Sequence, residues 1–231
     1  MPKVGMRAVR RSQLVNAAVD LIEEHGIAGT SVSLISAKAG LATGMVHHYF
    51  ADKHELLEAT LWELVRRHAR QIYAQLAKAR TPTGRVLAFV DANLSPASLT
   101  PKTVSVWLSF WGQVPHNRRF ARIYSIIARR TQSALARTLS ECMSREDAVR
   151  NAKVIVLFLD GLWLRAAIDP EGMTPEVARQ TAHGFLRRQL GASFKLPVAS
   201  PQGRRSSEGA AKKSEPHSLC IRPRVVRGPR P

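Results

Sequence analysis

Two sets of side chains in this sequence have types and spacing that could do chemistry. The first is His47, His48 and His54. Zinc takes four tetrahedral ligands, usually from two clusters. No second cluster follows, so these histidines read as surface groups or as groups facing a partner, and no metal is expected. The second set is aromatic: Trp107 and Trp111 four apart with Phe110 beside them, and Asp160 three before Trp163. Aromatic faces with a carboxylate suit an organic cation, while aromatics at helical spacing equally well fill a core. Arg165, if paired with Asp160, would leave such a cage neutral. No Ser-His-Asp or Cys-His set and no glycine-rich phosphate loop is present, so neither catalysis nor a cofactor is expected.

The densest pattern lies in residues 30–53, TSVSLISAKAGLATGMVHHYFADK. Val32, Ile35 and Ala39 fall on one face of a helix. Gly40 stops that helix, because glycine accepts a positive φ at low steric cost. Val46 and Phe50, four apart, can dock a second short helix on the first. Docking leaves Thr43, Gly44, His47 and His48 outward with Met45 at the margin, a small, hydrogen-bonding face of the kind that reads a major groove. The stretch is read as a helix-turn-helix rather than an ordinary αα corner.

The run Gly40-Leu-Ala-Thr-Gly-Met-Val-His-His-Tyr49-Phe50, followed by Asp52-Lys53 and Leu56-Leu57, resembles the DNA-binding domain of TetR-family repressors. The resemblance implies that Tyr49 and Lys53 grip phosphates while the helix before them reads bases. The expected DNA-binding set is Ser31, Ser33, Thr43, Gly44, Met45, His47, His48, Tyr49 and Lys53. The family's usual serine cap is replaced here by Ala42. Losing such a cap costs ~1 kcal/mol, so either Thr43 takes over or the helix starts frayed.

Longer segments narrow the resemblance: MPKVGMRAVRRSQLVNAAVDLIEEHG, ATGMVHHYFADKHELLEAT, VWLSFW at 106–111 and DGLWLRAA at 160–167. Over residues 1–190 they are similar to the BetI-type branch, which represses the choline-to-glycine-betaine osmoprotectant genes. That implies a homodimer on a pseudo-palindromic double-stranded operator, with choline as the signal. Choline's charge cannot be removed by deprotonation, so its burial needs aromatic faces, each worth ~0.5–2 kcal/mol, and preferably a carboxylate. The expected ligand-binding residues are therefore Trp107, Phe110, Trp111, Asp160 and Trp163, with Tyr73, Tyr124 and Trp62 as weaker candidates. Two other readings stay open. One is a repressor of the same family sensing another small ligand, cationic or not. The other is a basic protein that coats nucleic acid non-specifically, which would lack a large affinity ratio between operator and random DNA.

These groups need helices to hold them, and an all-α chain is expected. After a short basic arm at 1–6, a first helix covers about 7–25, with Leu14, Ala18, Leu21 and Ile22 on one side and Gly26 at its end. Arg7, Arg10 and Arg11 at its start oppose the macrodipole, which suits either a nearby phosphate backbone or a solvated basic end. Asp52 with Glu55 opens a helix to about Ala79 as a capping box. At about 40 Å by helical rise, it serves as a lever between the two parts of the protein. Further helices are expected near 83–95, 101–114, 116–142, 145–168 and 175–190, with Pro115 separating two of them. Val154, Ile155, Leu157, Phe158, Leu159 and Leu162 surround the 145–168 helix, which implies burial on several sides. The domains expected are a DNA-binding domain at 1–53, a helical ligand-binding and dimerisation domain at 54–191, and a tail at 192–231.

The chain carries 35 Lys+Arg against 17 Asp+Glu, a net +18, which points to a polyanionic partner. Residues 192–231 hold 9 basic and 2 acidic residues and six prolines. This segment is expected to be disordered, and its +7 leaves +11 for the rest. It adds non-specific affinity by counterion release or is an inert extension. No apolar run reaches the ~18 residues that span a bilayer. Asp20, Glu23 and Glu24 interrupt any signal-peptide core. Cys142 and Cys220 make no disulfide framework. The expected place is the cytoplasm, at the nucleoid.

Overall fold

The structure, a computed structural model, describes residues 4–191. The expectations for the first residues of the N-terminal arm, for the tail at 192–231 and for Cys220 lie outside the described residues. Among those described, the elements are α1 (Val4–Gly29), α2 (Val32–Lys38), α3 (Thr43–Val46), α4 (Lys53–Leu76), α5 (Pro82–Asn93), α6 (Pro101–Trp111), a 3-10 turn (Val114–His116), α7 (Arg118–Leu139), α8 (Arg145–Ile168) and α9 (Pro175–Leu190), with no strand.

Local chemistry sets most of the boundaries. Ser31, Asp52, Thr81, Thr100, Ser144 and Thr174 each cap a helix by accepting from the backbone N–H three residues on. Pro82, Pro101 and Pro175 sit in first turns, where the missing N–H would have had no partner. Gly40, at φ 67°, closes α2 with a Schellman pair: Gly40 N donates to the Ala37 carbonyl and Leu41 N to that of Ser36.

Several boundaries differ from expectation. Helix α1 begins at Val4, so half of the expected arm is helical, and beyond Gly26 (φ 65°) one further turn runs to Gly29. Helix α4 stops at Leu76, and α6 at Trp111. The helix expected from 116 starts at Arg118, because Pro115 lies in the 3-10 turn and Asn117 Oδ1 takes the N–H groups of Arg119 and Phe120. The capping box at α4 is displaced by one residue. Asp52 Oδ1 accepts from Glu55 N at 2.7 Å, but Glu55 Oε2 accepts from Ala51 N, also at 2.7 Å.

Two clusters of buried side chains form. One joins Leu14, Ala18 and Leu21 of α1 to Ile35, Val46, Phe50 and Leu56. The larger one begins with Ile22 and Ile27 and continues through α4 to α9. Helix α1 therefore feeds both clusters, as does α4 through Leu56 and Leu57. Burial of such side chains contributes ~1.5–3 kcal/mol each, which fixes α2 and α3 against α1.

Candidate nucleic-acid interface and internal cavity

Val46 and Phe50 are 2 % and 1 % exposed, and their docking turns the rest of α3 outward. Thr43, Gly44, Met45, His47 and His48 are all exposed, as is Ser33. Ser31 caps α2: its Oγ accepts from Leu34 N and shares a hydrogen bond with Ser33 Oγ. Ala42 makes no side-chain cap. Thr43 does not replace it, because its hydroxyl bonds Ser36 Oγ at 3.0 Å. Ser36 is fully buried and gives its only proton to the Ser33 carbonyl, so Thr43 must be the donor between the two. Sequence reasoning passed over Ser36, which ties α2 to α3.

Tyr49 packs part of its ring on the smaller core. Lys53, the first residue of α4, donates its Nζ to the Ile27 carbonyl at 3.3 Å. Arg11 is neither a free phosphate contact nor a solvated end. It donates to the Tyr49 carbonyl at 2.6 Å, pairs with Glu55 at 3.3 Å and lies 4.1 Å above the Phe50 ring. Its role is a clasp that fixes the chain after α3 against α1 and α4. Among the described residues, no group of three or more His, Cys, Asp or Glu is placed to hold a metal ion.

The second site is a cavity enclosed by α4, α5, α6, α7 and α8. Its lining includes Trp107, Trp111, Trp163, Tyr124, Phe89, His68 and Asp160, around a cavity of about 130 Å³ that is partly open to solvent. Trp107 and Trp163 meet edge to face at 6.4 Å, His68 meets Trp163 edge to face at 5.7 Å, and Trp111 tilts against Trp163 at 6.5 Å. Trp163 Nε1 donates to the Asn93 carbonyl at 3.2 Å, which sets the ring's orientation. Asn93 Nδ2 donates to the Phe89 carbonyl, leaving Oδ1 to accept from His68 Nε2 at 3.0 Å. Burial holds the His68 pKa below the usual imidazole range, so the neutral ring with its proton on Nε2 fits this arrangement.

Four of the five expected cage residues line the cavity, and Phe110 does not. It is 1 % exposed and meets Phe120 edge to face at 5.5 Å in the core. His68, Asn93 and Phe89 take part where the sequence had not pointed to them. Tyr124, a weaker candidate, donates its hydroxyl to Asp160 Oδ2 at 3.3 Å. Arg165 does not neutralise Asp160, because it faces Asp169 one turn on, at 3.1 Å. Among the described residues no ion pair reaches Asp160. Burial pushes its carboxyl pKa up, and the Tyr124 hydroxyl opposes that rise. A half-buried carboxylate in a cavity lined by Phe89, Trp107, Trp111, Tyr124 and Trp163 can hold a cation that no proton transfer can discharge.

The family described as "BetI-type transcriptional repressor, C-terminal" matches residues 82–191, and "Bacterial regulatory proteins, tetR family" matches residues 14–60. An HTH-type transcriptional regulator BetI from Vibrio vulnificus is 38% identical over 192 residues, covering 82% of this chain and 97% of that one. This chain belongs to the BetI-type branch of the TetR family. A BetI from Yersinia pestis is 33% identical over 197 residues, covering 84% of this chain and 100% of its own. Among solved structures, a transcriptional regulator from Pseudomonas aeruginosa superposes with a TM-score of 0.71 at 26% identity, over 80% of this chain and 93% of that one. A regulator from Saccharomonospora viridis, solved in complex with choline, has a TM-score of 0.70 at 22% identity, over 78% of this chain and 96% of its own. The BetI-type chain described here is a DNA-binding transcriptional repressor and not an enzyme. Among the described residues no helix is long and apolar enough to cross a membrane.

Proposed function

We propose that this BetI-type repressor controls genes of choline-to-glycine-betaine synthesis and that choline, bound at Asp160, Trp107, Trp111 and Trp163, is its effector. The observation that carries this reading is the Asp160 carboxylate, held in an aromatic-lined cavity with a phenol as its hydrogen-bond partner and, among the described residues, no cation paired with it. A trimethylammonium group supplies the missing charge and offers no hydrogen-bond donor that would compete with Tyr124. The choline-bound regulator from Saccharomonospora viridis shares the fold, so this architecture accommodates that ligand class.

At the other end, Thr43, Gly44, Met45, His47 and His48 approach base edges, while Ser31, Ser33, Tyr49 and Lys53 position the backbone of double-stranded DNA. Two copies bind a pseudo-palindromic operator as a homodimer, in the cytoplasm where the DNA lies. Choline favours the dimer that cannot grip its operator, and a coupling of ~1–3 kcal/mol is enough for that. The test is calorimetric titration of choline into the protein, paired with operator binding at rising choline. Micromolar binding together with loss of operator affinity is expected. A protein that holds its operator but takes up no choline would leave a BetI-type repressor with a different signal.

A further inference from the structure

A second chamber adjoins the cavity at Asp160. The two linings share His68, Ile72, Phe89, Trp107, Ile127 and Thr131, so the chambers lie side by side with only these side chains between them. The second chamber has a cavity volume of about 250 Å³, partly open to solvent, between α4, α5 and α7. Val65, Ala69, Leu76, Ile126 and Leu135 give it a largely apolar surface. Of its two cations, Arg85 is already paired with Glu141, and Arg130 is exposed to solvent at the lining's edge. Choline's two-carbon arm is too short to fill this space from a headgroup seated at Asp160, so apolar walls would stay wet. Thr131, common to both linings, puts a hydroxyl at the junction, where an ester oxygen attached to that arm would pass.

We propose that the site takes elongated quaternary ammonium ligands, specifically choline esters of short to medium-chain carboxylic acids, with the acyl chain in this second chamber. The inference rests on the choline reading above for the headgroup and adds the tail. A buried methylene is worth ~0.8 kcal/mol, about fourfold in affinity, and partial exposure at the open side reduces that.

The experiment is a calorimetric series of choline, acetylcholine, butyrylcholine and hexanoylcholine on the full chain. Binding is expected to tighten by two- to fourfold per added methylene from acetyl to hexanoyl. Ala69→Phe, which fills the second chamber away from Asp160, should erase the gain while leaving choline affinity unchanged. Ala134→Phe, on the exposed side of α7, is the second variant, with circular dichroism on both to confirm folding. If hexanoylcholine binds no tighter than choline, the acyl chamber is wrong while the choline reading stands. If the gain survives in both filled variants, the chain lies elsewhere and the proposal fails. If neither choline nor any ester binds, the headgroup site itself is wrong and the tail chamber falls with it.

Discussion

Tyr124 of α7 donates its hydroxyl to the carboxylate of Asp160 on α8, 3.3 Å away. That contact keeps a charge-bearing group in an aromatic cavity without neutralising it. Two unit charges 4 Å apart attract by about 4 kcal/mol at an effective dielectric of 20, and a third of that is tenfold in affinity. Asp160→Asn is therefore expected to weaken choline binding by at least about tenfold. It should also raise the melting temperature, because it removes a partly desolvated charge. Calorimetry and thermal unfolding check both, and a destabilised variant that still binds choline would contradict the assignment.

The pH dependence follows from the same groups. The folded-state pKa of Asp160 is raised by burial, so its contribution to stability is greatest in acid and is lost as pH rises through the raised value. Choline affinity should run the opposite way, falling as pH drops through a value above the ordinary carboxylate pKa of about 4. His68 is depressed by burial. Its neutral form supports the fold above the ordinary imidazole value and loses that contribution as pH falls through the folded one. Protonating it would also place a cation in the cage. In Asp160→Asn the part of the affinity loss that this carboxyl carries should vanish, leaving a single decline from His68 that Asn93→Ala shifts to lower pH, since the Asn93 hydrogen bond raises the His68 pKa.

At the other end of the molecule, Lys53 and His47 should separate by readout. Lys53→Ala is expected to weaken operator and random DNA alike and to reduce the salt slope by about one unit. His47→Ala should cost about 1–3 kcal/mol on the operator and relax preference at one base position. Thr43, already donating to Ser36, is expected to act as an acceptor toward a base amino group. Fluorescence anisotropy on operator and scrambled duplexes across a salt series decides this. Equal losses on both duplexes for His47→Ala would remove it from base reading.

The helix-turn-helix was legible because its signals are local. The 3.6-residue period, Gly40 and the Val46–Phe50 pair all act within twenty residues, and each took its expected position. The cavity was half legible. Trp107 and Trp111 share a helix face, and Asp160 lies one turn before Trp163. Phe110 could not be told from them, since spacing along α6 does not say which neighbours fill each side, and Phe120 claims it. His68 comes from a distant helix, yet it left a trace: a polar residue at the position that Leu61, Leu64 and Val65 mark as inward. Arg11 read as either a phosphate contact or a solvated basic end because its partners, Tyr49 and Glu55, lie about forty residues on. Helix α8 is apolar all round for two reasons. Ile155, Leu159, Leu162 and Trp163 face the core, while Val149, Leu157, Leu164 and Ile168 are 56, 58, 48 and 67 % exposed.

That exposed stripe on α8 is the surface a second copy would cover. Leu157→Asp and Ile168→Asp, both fully folded by circular dichroism, are expected to shift the protein toward monomer at micromolar concentration. Operator affinity should fall by far more than choline affinity, since each half-site alone binds weakly. Sedimentation velocity reports the first effect. Wild-type protein that sediments as a monomer at every concentration would rule out this stripe as a dimer face.

The two sites need a mechanical link, and α6 offers one beside the α4 lever. Helix α6 carries Trp107 and Trp111 at one end, and near its start Lys102 Nζ reaches Asp20 at 3.0 Å and Glu23 at 2.6 Å, both on α1. Those two carboxylates hold the Lys102 pKa above its usual value. Exposed pairs of this kind are worth ~0.2–1 kcal/mol each. The coupling between choline and operator need only be ~1–3 kcal/mol, so two such pairs are a substantial part of it. In Lys102→Ala, choline affinity and choline-free operator affinity should stay within about twofold of wild type. The shift in operator affinity that choline produces should shrink by severalfold, because α6 then reaches α1 through apolar packing alone. Operator titrations with and without saturating choline measure this directly. An unchanged choline effect in a folded Lys102→Ala variant would remove these ion pairs from the coupling.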